Sequence, residues 1–314
     1  MLLSRAFDRK AIAQHRQGAW GMYLEVFGQE AAVVGSALAV DPARDWLVGQ
    51  ARELPAYLHH GWPIEGLAAL FLGKFPAARI PDGVRMLPLQ IAIGAQLPHA
   101  VGLAWGLRRQ RTDSVVICYF GEGASSEGDF HEACNLAGVV RAPVVMFMQN
   151  NQWAISTPSR DQTAAGSYAV RADGYGFPGV QVDGNDLFAV HQVTTAAVAR
   201  ARAGAGPTLI EAITYRMGAH NTSDNASKYA DPAELDEARS RDPIDRVERY
   251  LSALGLWDPV RRSRAEARAK EAIEQAVEAA RSLPAPSPAE AFEHVYGTVP
   301  ERVLRQRREL LDSL

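Results

Sequence analysis

Two short apolar runs with a helix-length segment between them constrain the fold of this chain most strongly. The first run is SVVICYF at 114–120 and the second is PVVMFMQ at 143–149. Between them, EGDFHEACNLAGVV at 127–140 spaces its apolar residues as one face of a helix. Continuous apolar runs of this length are typical of strands buried on both faces of a parallel sheet. The three segments therefore predict a strand–helix–strand unit whose two strands run in the same direction.

The alternation of strand and helix patterns continues along the chain. GVQVDG at 179–184 and PTLIEAITYR at 207–216 predict two more strands, and the segment 186–204 between them predicts a helix. This order is typical of an α/β fold with a mostly parallel sheet flanked by helices. Other helices are predicted at 5–25, 28–40 and 90–107.

The C-terminal part of the chain has a different character. Residues 259–282 predict a strongly charged helix with an alanine, isoleucine and valine stripe, followed by a proline-rich break. We therefore assign residues 1–258 to the α/β domain and residues 259–314 to a C-terminal helical extension packed on it. The helix at 259–282 could be a docking surface, or it could cover the edge of the domain, and the sequence leaves both interpretations open.

Polar residues follow the two central strands at the points where they end. GEG at 121–123 follows the first strand, and NN at 150–151 follows the second. Because ligands gather at the carboxyl ends of parallel strands, we expect Glu122 and Asn151 to face the same crevice. The glycines allow a tight turn and expose N–H groups to an anion. A carboxylate with an amide oxygen suits Mg²⁺, which usually keeps places for phosphate oxygens. The pattern predicts a metal-bridged diphosphate at this edge.

Net charge, apolar run length and cysteine content argue against some kinds of partner and indicate a location. The net charge of −3 argues against nucleic acid or an anionic membrane as a partner, and no apolar run has membrane-spanning length. Charges near the N-terminus interrupt the apolar stretch that a signal peptide needs, so a cytoplasmic location is expected. Cys118 and Cys134 both lie in apolar-rich segments and are interpreted as reduced core thiols.

The combination of GEG with NNQWAIST resembles the thiamine-diphosphate-binding motif, whose usual form opens GDG. It is similar in particular to the α subunit of the decarboxylase component of 2-oxoacid dehydrogenase complexes, of the pyruvate, branched-chain or related acetoin type. The resemblance covers nearly the whole chain. The segments that match in order include GQEAAVVGSALAV, IPDGVRMLPLQIAIGAQLPHAVG, VQVDGNDLFAV, GPTLIEAITYRMGAHNTSD and DPIDRVERYL.

This resemblance implies a set of site residues. Glu122, Asn151 and the backbone carbonyl of Trp153 correspond to ligands of Mg²⁺. Ile93 corresponds to the apolar residue that supports the bent cofactor, and Arg52 to an arginine that pairs with the diphosphate. His220 corresponds to a catalytic histidine near the diphosphate and the channel for the lipoyl arm. The remaining residues expected around thiamine diphosphate are Gly121, Gly123, Ala124, Asn150 and Ala154.

Three positions depart from the family pattern. Ala51 stands where tyrosine is common before the arginine, so one cofactor contact is missing. Ala95 replaces a frequent threonine, which weakens the case for a monovalent-cation site. Asn221 replaces the serine that is phosphorylated in mammalian enzymes, so regulation by that route is not expected.

The implied activity is oxidative decarboxylation of a 2-oxoacid and transfer of the acyl group to a lipoyl group. The resemblance implies a β subunit in an α2β2 assembly, a lipoyl acyltransferase component as a second partner, and an inactive isolated chain. It does not rank pyruvate against branched-chain acids.

Two alternatives stay open, an acetoin dehydrogenase α subunit and a degenerate, non-catalytic assembly subunit, the latter because of Ala51. A nicotinamide dehydrogenase is set aside, since the AGAG near residue 203 lies at the end of a predicted helix rather than after a strand.

Overall fold

A five-stranded, wholly parallel sheet forms the centre of the molecule. The structure is a computed structural model that describes residues 1–293 and 295–314. The strands are β1 (Trp46–Val48), β2 (Val116–Gly121), β3 (Val144–Asn150), β4 (Trp153–Ala154), β5 (Thr157–Pro158), β6 (Gly179–Asp183) and β7 (Thr208–Ile213). The order across the sheet is β1–β2–β3–β7–β6, and β4 and β5 form a small antiparallel hairpin after β3.

Helices cover both faces of this sheet. Their bounds are α1 (Leu2–Arg16), α2 (Glu30–Ala37), α3 (Leu54–His60), α4 (Ile64–Phe71), α5 (Gln96–Arg109), α6 (Gly128–Val139), α7 (Leu187–Arg202), α8 (Pro232–Ser240), α9 (Pro243–Ala253), α10 (Pro259–Ser282) and α11 (Glu301–Asp312). The predicted α/β class with a mostly parallel sheet is confirmed.

Alternate residues of β2 and β3 enter two separate apolar clusters, one on each face of the sheet. Ile117 and Phe147 belong to the cluster that also contains side chains of α1, α2, α4, α7 and α10. Cys118 and Met146 belong to the cluster built with α5 and α6. Full burial of a side chain such as Phe147 contributes roughly 1.5 to 3 kcal/mol, so burial on both faces fixes the register of these strands.

The two cysteines are free and fully buried, in agreement with the sequence prediction. Cys118 lies on β2 and Cys134 on α6, both within the cluster shared by these two elements.

Two of the predicted helices have different limits in the structure. The helix expected at 5–25 ends at Arg16, because Gly18 adopts a left-handed conformation with φ of 71°. The helix expected from residue 90 begins only at Gln96. There Gly94 has φ of 83°, and the segment before it is an irregular loop with Ile91 and Ile93 about half exposed. The strand β1 is only three residues long and was not predicted from the sequence.

The charged helix α10 covers part of the α/β domain. Its residues Ile273, Val277 and Ala280 are buried in the same apolar cluster as Phe7 of α1 and Leu67 of α4. Its opposite face is charged and exposed. This contact favours the covering interpretation for α10, while the domain boundary after residue 258 stays a prediction.

A search for membrane-crossing helices within residues 1–293 and 295–314 finds none that is both long and apolar enough.

Candidate cofactor site at the carboxyl edge of the sheet

The carboxyl ends of four parallel strands bring the main predicted residues to one edge. Arg52 follows β1, Glu122 follows β2, Asn151 follows β3, and His220 lies in the loop after β7. Because all four strands run in the same direction, these residues emerge on the same side of the molecule. The parallel topology thus explains why positions so far apart in sequence meet.

Glu122 and Asn151 are direct neighbours. Gly121 pairs with Gln149 in the register of β2 and β3, so the two chains leave the sheet side by side. The backbone N–H of Asn151 donates a hydrogen bond to Oε2 of Glu122 at 3.3 Å. Glu122 is fully buried, and its Oε1 has no hydrogen-bond partner among the described residues. A buried carboxylate oxygen without a donor is costly, and a bound cation would satisfy it.

The short loop after β3 positions the two other candidate ligand oxygens, Oδ1 of Asn151 and the carbonyl oxygen of Trp153. Gln152 adopts a left-handed conformation with φ of 73°, which is uncommon for a residue other than glycine. The turn allows the backbone N–H of Trp153 to donate to Oδ1 of Asn151 at 3.2 Å. The carbonyl oxygen of Trp153 lies 3.4 Å from Nη1 of Arg216, so it is only weakly engaged.

The glycines of the first motif border the site in two different ways. A Cβ added at Gly121 would meet nothing within 4 Å, so the backbone there faces open space. A Cβ at Gly123 would lie 2.7 Å from the Cβ of Ala154, so the two loops can approach only because residue 123 is glycine. Ala124 is almost fully buried and belongs to the apolar cluster beneath the loop.

Asn150 and Asn151 have their side chains in different surroundings. The Nδ2 of Asn150 donates to Oε1 of Glu211 at 2.7 Å, and its Oδ1 accepts from the hydroxyl of Ser159 at 3.3 Å. Successive residues of a strand point to opposite faces, which explains the separation. The amide of Asn150 is therefore engaged away from Glu122, and only its backbone remains available to a ligand beside Glu122.

Ile93 lies in the loop before α5 and is 50% exposed. This loop is held at the edge of the sheet because Nε2 of Gln96 donates to the carbonyl of Tyr119 on β2 at 3.1 Å. Gly94 packs against Glu127 at the start of α6. The half-exposed side chain of Ile93 thus belongs to a loop that is held near the end of β2.

A cluster of basic side chains, Arg52, Arg216 and His220, lies beside these candidate ligand oxygens. Arg52 is buried, and it donates to the carbonyl oxygens of Glu25 and His220 at 2.6 and 2.5 Å. Its Nη2 also lies 3.2 Å from Nδ1 of His220. Arg216 donates to the carbonyl of Ile155 and to the hydroxyl of Tyr229, each at 2.7 Å. Within the described part of the chain neither guanidinium forms an ion pair with a carboxylate, so their charge suits an anionic ligand.

Burial and mutual repulsion shift the pKa values in this cluster. Burial and the charges of Arg52 and Arg216 lower the pKa of His220 to about 4, so its imidazole is neutral near pH 7. Burial and the charge of Arg216 lower the pKa of Arg52 to about 10. Burial raises the pKa of the Glu122 carboxyl to about 7, against the effect of the Asn151 N–H and Arg216. An anion beside the guanidiniums and a cation beside the carboxylate would both relieve these costs.

The donor set at this edge fits a magnesium diphosphate. In residues 1–293 and 295–314, no group of three or more His, Cys, Asp or Glu side chains could hold a metal ion. This edge instead offers one carboxylate, one amide oxygen and one backbone carbonyl, beside two guanidiniums and the open space at Gly121. Mg²⁺ bound in this way would keep its other positions for water and phosphate oxygens.

Two residues of this region were missed by the sequence analysis. Arg216 lies within a matched segment, but only His220 of that segment was predicted as a site residue. Gln29 accepts a hydrogen bond from Nδ2 of Asn151 at 3.1 Å, although it lies far from Asn151 in sequence. No spacing pattern links such positions, so only the folded chain reveals them.

The three residues that depart from the family pattern, Ala51, Ala95 and Asn221, lie outside the helices and strands. Ala51 lies in the bend between β1 and α3 and is partly exposed. Ala95 directly precedes α5, and its carbonyl accepts from the ring of His99. The Oδ1 of Asn221 accepts from the N–H of Ser223 at 2.8 Å, which closes a local turn.

Similarity to known proteins shows the family to which this chain belongs. Residues 1–289 match the family model described as "Dehydrogenase E1 component". The chain is 42% identical over 314 residues to the 3-methyl-2-oxobutanoate dehydrogenase subunit alpha of Mycobacterium tuberculosis, covering 100% of this chain and 85% of that protein. It is 38% identical over 307 residues to the pyruvate dehydrogenase E1 component subunit alpha of Staphylococcus epidermidis, covering 98% and 83%. The same figures apply to the corresponding subunit of Staphylococcus aureus. The chain belongs to the dehydrogenase E1 component family.

Proposed function

We propose that this chain is the α subunit of a 2-oxoacid dehydrogenase decarboxylase component and that it binds the diphosphate half of thiamine diphosphate through Mg²⁺. The observation that carries the proposal is the buried Glu122: its Oε2 accepts from the N–H of Asn151, while its Oε1 has no partner among the described residues. Within the same residues, the guanidiniums of Arg52 and Arg216 donate to carbonyl and hydroxyl oxygens and form no ion pair with a carboxylate. A cation and a diphosphate satisfy both groups together, whereas either ion alone satisfies only one.

The residues of this edge have distinct roles in the proposal. Glu122, Asn151 and the Trp153 carbonyl hold Mg²⁺, and Arg52 with Arg216 balances the charge of the diphosphate. Gly121 leaves room for the diphosphate against the backbone. When bound, thiamine diphosphate supplies the nucleophilic carbon at which a 2-oxoacid loses carbon dioxide.

The imidazole ring of His220 is suited to donate a hydrogen bond to a ligand rather than to accept one. Its Nδ1 faces Nη2 of Arg52, which can only donate, so the neutral imidazole carries its proton on Nε2. The backbone N–H of His220 donates to Asp224 at 2.7 Å, which fixes the start of this loop. We assign His220 as a hydrogen-bond donor, through the N–H at Nε2, that stabilises negative charge near the diphosphate and the acyl-transfer path.

A second polypeptide completes the site in this proposal. Ile91 and Ile93 in the loop before α5, and Ile155 in the turn between β4 and β5, are about half exposed. A β subunit that covers them would exclude water and supply the residues for the other half of the cofactor. The lipoyl acyltransferase component would then receive the acyl group. A cytoplasmic location is part of the same proposal.

The substrate class follows from the relatives and not from the geometry. The similar proteins are named for 3-methyl-2-oxobutanoate and for pyruvate, which favours a 2-oxoacid over acetoin. We therefore propose a 2-oxoacid as the substrate and leave the choice between a branched-chain acid and pyruvate to measurement.

Calorimetric titration of the chain, co-produced with its β subunit, tests the proposal. Thiamine diphosphate should bind with Mg²⁺ and should bind much more weakly when EDTA removes the metal. A panel of pyruvate, 3-methyl-2-oxobutanoate and acetoin, assayed with an artificial electron acceptor, should show turnover of a 2-oxoacid. Binding that ignores the metal, turnover of acetoin alone, or turnover by the isolated chain would contradict the proposal.

A further inference from the structure

A side-chain amide can ligate a cation only through its oxygen. The oxygen and NH₂ ends of asparagine have nearly the same size, so packing alone hardly distinguishes one orientation from the other. If Asn151 turned its NH₂ group toward the cation of the proposed cofactor site, the ligand would be lost and two partial positive charges would take its place. Some other group must therefore fix the orientation of this amide.

Two hydrogen bonds fix the amide of Asn151 in the structure. Its Oδ1 accepts from the N–H of Trp153 at 3.2 Å, which leaves a second lone pair on this oxygen. Its Nδ2 donates to Oε1 of Gln29 at 3.1 Å. The N–H of Trp153 selects the oxygen end of this amide, and Oε1 of Gln29, which can only accept, holds its NH₂ end on the other side and leaves the second lone pair of the oxygen for the site.

The backbone around Gln29 is held in place by β7 and its loop. Gln29 directly precedes α2, and its N–H donates to the carbonyl of Val26 at 2.8 Å. The carbonyl of the preceding Gly28 accepts from the hydroxyl of Thr214 at 2.9 Å. A Cβ at Gly28 would lie 2.4 Å from the carbonyl oxygen of Tyr215, so this approach is close.

The side chain of Gln29 has only this one hydrogen bond among the described residues. Gln29 is fully buried, and within residues 1–293 and 295–314 its Nε2 has no partner. For packing alone, an apolar side chain of the same length would fill this space without burying an unpaired NH₂ group. The amide is thus explained by the bond that it makes to Asn151.

We propose that Gln29 is a positioning residue that holds Asn151 with its amide oxygen toward the cation. The inference rests on the proposed function of Glu122 and Asn151 as cation ligands. Gln29 touches neither the cation nor the diphosphate, and acts only through Asn151. Groups that orient a metal ligand from behind commonly change metal affinity by ten- to a hundredfold when they are removed.

Two variants of matched length separate positioning from packing. Gln29→Met keeps the length and burial of the side chain but offers no acceptor, whereas Gln29→Glu keeps an oxygen at the position of Oε1. The probe is Mn²⁺ with thiamine diphosphate, and electron paramagnetic resonance measures free and bound Mn²⁺ in the chain co-produced with its β subunit. Thermal unfolding of the metal-free complexes reports on folding.

The Kd for Mn²⁺ should rise about tenfold or more in Gln29→Met and stay within about threefold of the unchanged protein in Gln29→Glu. Without metal, both variants should still unfold cooperatively but at lower temperatures, because Gln29→Met leaves the buried NH₂ group of Asn151 without an acceptor and Gln29→Glu buries a carboxyl group. Equal Mn²⁺ affinity of Gln29→Met and the unchanged protein overturns the inference. Equal weakening in both variants also overturns it, since the acceptor would then be irrelevant.

Glu122→Ala distinguishes failure of the inference from failure of the proposed function. If the unchanged protein binds Mn²⁺ no better than Glu122→Ala, the proposed site itself is wrong. If Glu122→Ala loses Mn²⁺ while Gln29→Met retains it, the site stands and only the role of Gln29 is rejected.

Discussion

Two polar regions lie next to each other at the carboxyl edge of the sheet, and they differ in how well their groups are paired. The cofactor region contains Glu122 and Asn151, with Arg52, Arg216 and His220 beside them. The second region, here called the paired cleft, is a cavity of about 890 Å³ at the ends of β3, β6 and β7. Its lining includes Asn150, Asp183, Glu211, Arg241 and Arg246.

The charges of the paired cleft already have partners within the chain. Glu211 accepts from Nδ2 of Asn150, from the N–H of Ala169 and from Gln181. Arg246 forms ion pairs with Asp183 and Asp186. In this cleft the polar groups stabilise the fold of the surrounding loops.

The cofactor region shows the opposite pattern. Oε1 of Glu122 and Nε2 of Gln29 have no partner among the described residues, and the two guanidiniums donate mainly to carbonyl oxygens. Unpaired buried polar atoms, and not the volume of a cavity, therefore distinguish the proposed cofactor site from the paired cleft. Four predictions test this difference, in order of expected effect.

Glu122→Gln should show the largest effect on binding. The variant loses the charged oxygen that a cation requires, so the affinity for Mg²⁺ with thiamine diphosphate should fall at least about a hundredfold, roughly 3 kcal/mol. The free energy of unfolding without ligand should stay the same or rise, because a costly buried carboxylate is removed. Calorimetry and urea unfolding measure the two quantities. Full retention of affinity would show that Glu122 is not a ligand.

Glu211→Gln is the matched change in the paired cleft, and it should lower the stability of the fold rather than the affinity for the cofactor. An amide in place of the carboxylate sets an NH₂ group against buried donors, so the free energy of unfolding should fall by roughly 2 kcal/mol. The Kd for the metal and cofactor should change less than about threefold. If this variant loses cofactor while keeping its stability, the paired cleft is a binding site and the comparison fails.

Arg52→Met should weaken cofactor binding by about tenfold, roughly 1.4 kcal/mol, because one guanidinium of the diphosphate site is lost. Arg246→Met is the control in the paired cleft, where an arginine of similar length forms exposed ion pairs. Its effect on cofactor affinity should be below about twofold, and its effect on stability below about 1 kcal/mol. Calorimetry on both variants decides the matter, and equal losses of affinity would argue for a long-range charge effect.

The smallest effect concerns the pH dependence of stability of the ligand-free chain. Burial, together with the charges of Arg52 and Arg216, holds the pKa of His220 at about 4, although Asp224 acts in the opposite direction. The folded pKa is thus below the unfolded value of about 6.5, so stability is present above pH 6.5 and is lost as the pH falls toward 4. Relative to His220→Gln, the unchanged protein should lose about 1 kcal/mol over this range, after allowance for partial exposure.

Urea unfolding at several pH values between 4 and 7 measures this difference. A difference between the two proteins that does not vary with pH would mean that His220 does not titrate as its cationic neighbours require.

Much of the central fold was predictable from local patterns. The strands β2, β3, β6 and β7 and the helices α6 and α7 lie close to their predicted positions, because double-sided burial produces continuous apolar runs. The edge strand β1 has three residues and no such run, and α1 ends early at a single glycine conformation. Short elements and helix ends depend on contacts that no local pattern encodes.

The candidate site was likewise predictable from the sequence only in part. The neighbourhood of Glu122 and Asn151 follows from one strand–helix–strand unit and was expected from the sequence. The opposite environments of Asn150 and Asn151, and the presence of Gln29 and Arg216, were not expected. These features depend on contacts such as Asn151 with Gln29 and Asn150 with Glu211, which join distant parts of the chain.

The amino-acid sequence by itself determined the parallel sheet, the family and the edge at which its polar residues gather, because these follow from hydrophobic periodicity and motif order. Only the tertiary structure decided which polar atoms are left without partners. That outcome depends on the directions of side chains brought together from distant segments. A hydrogen bond is made or missed over a fraction of an ångström, and this is set only when the whole core has packed.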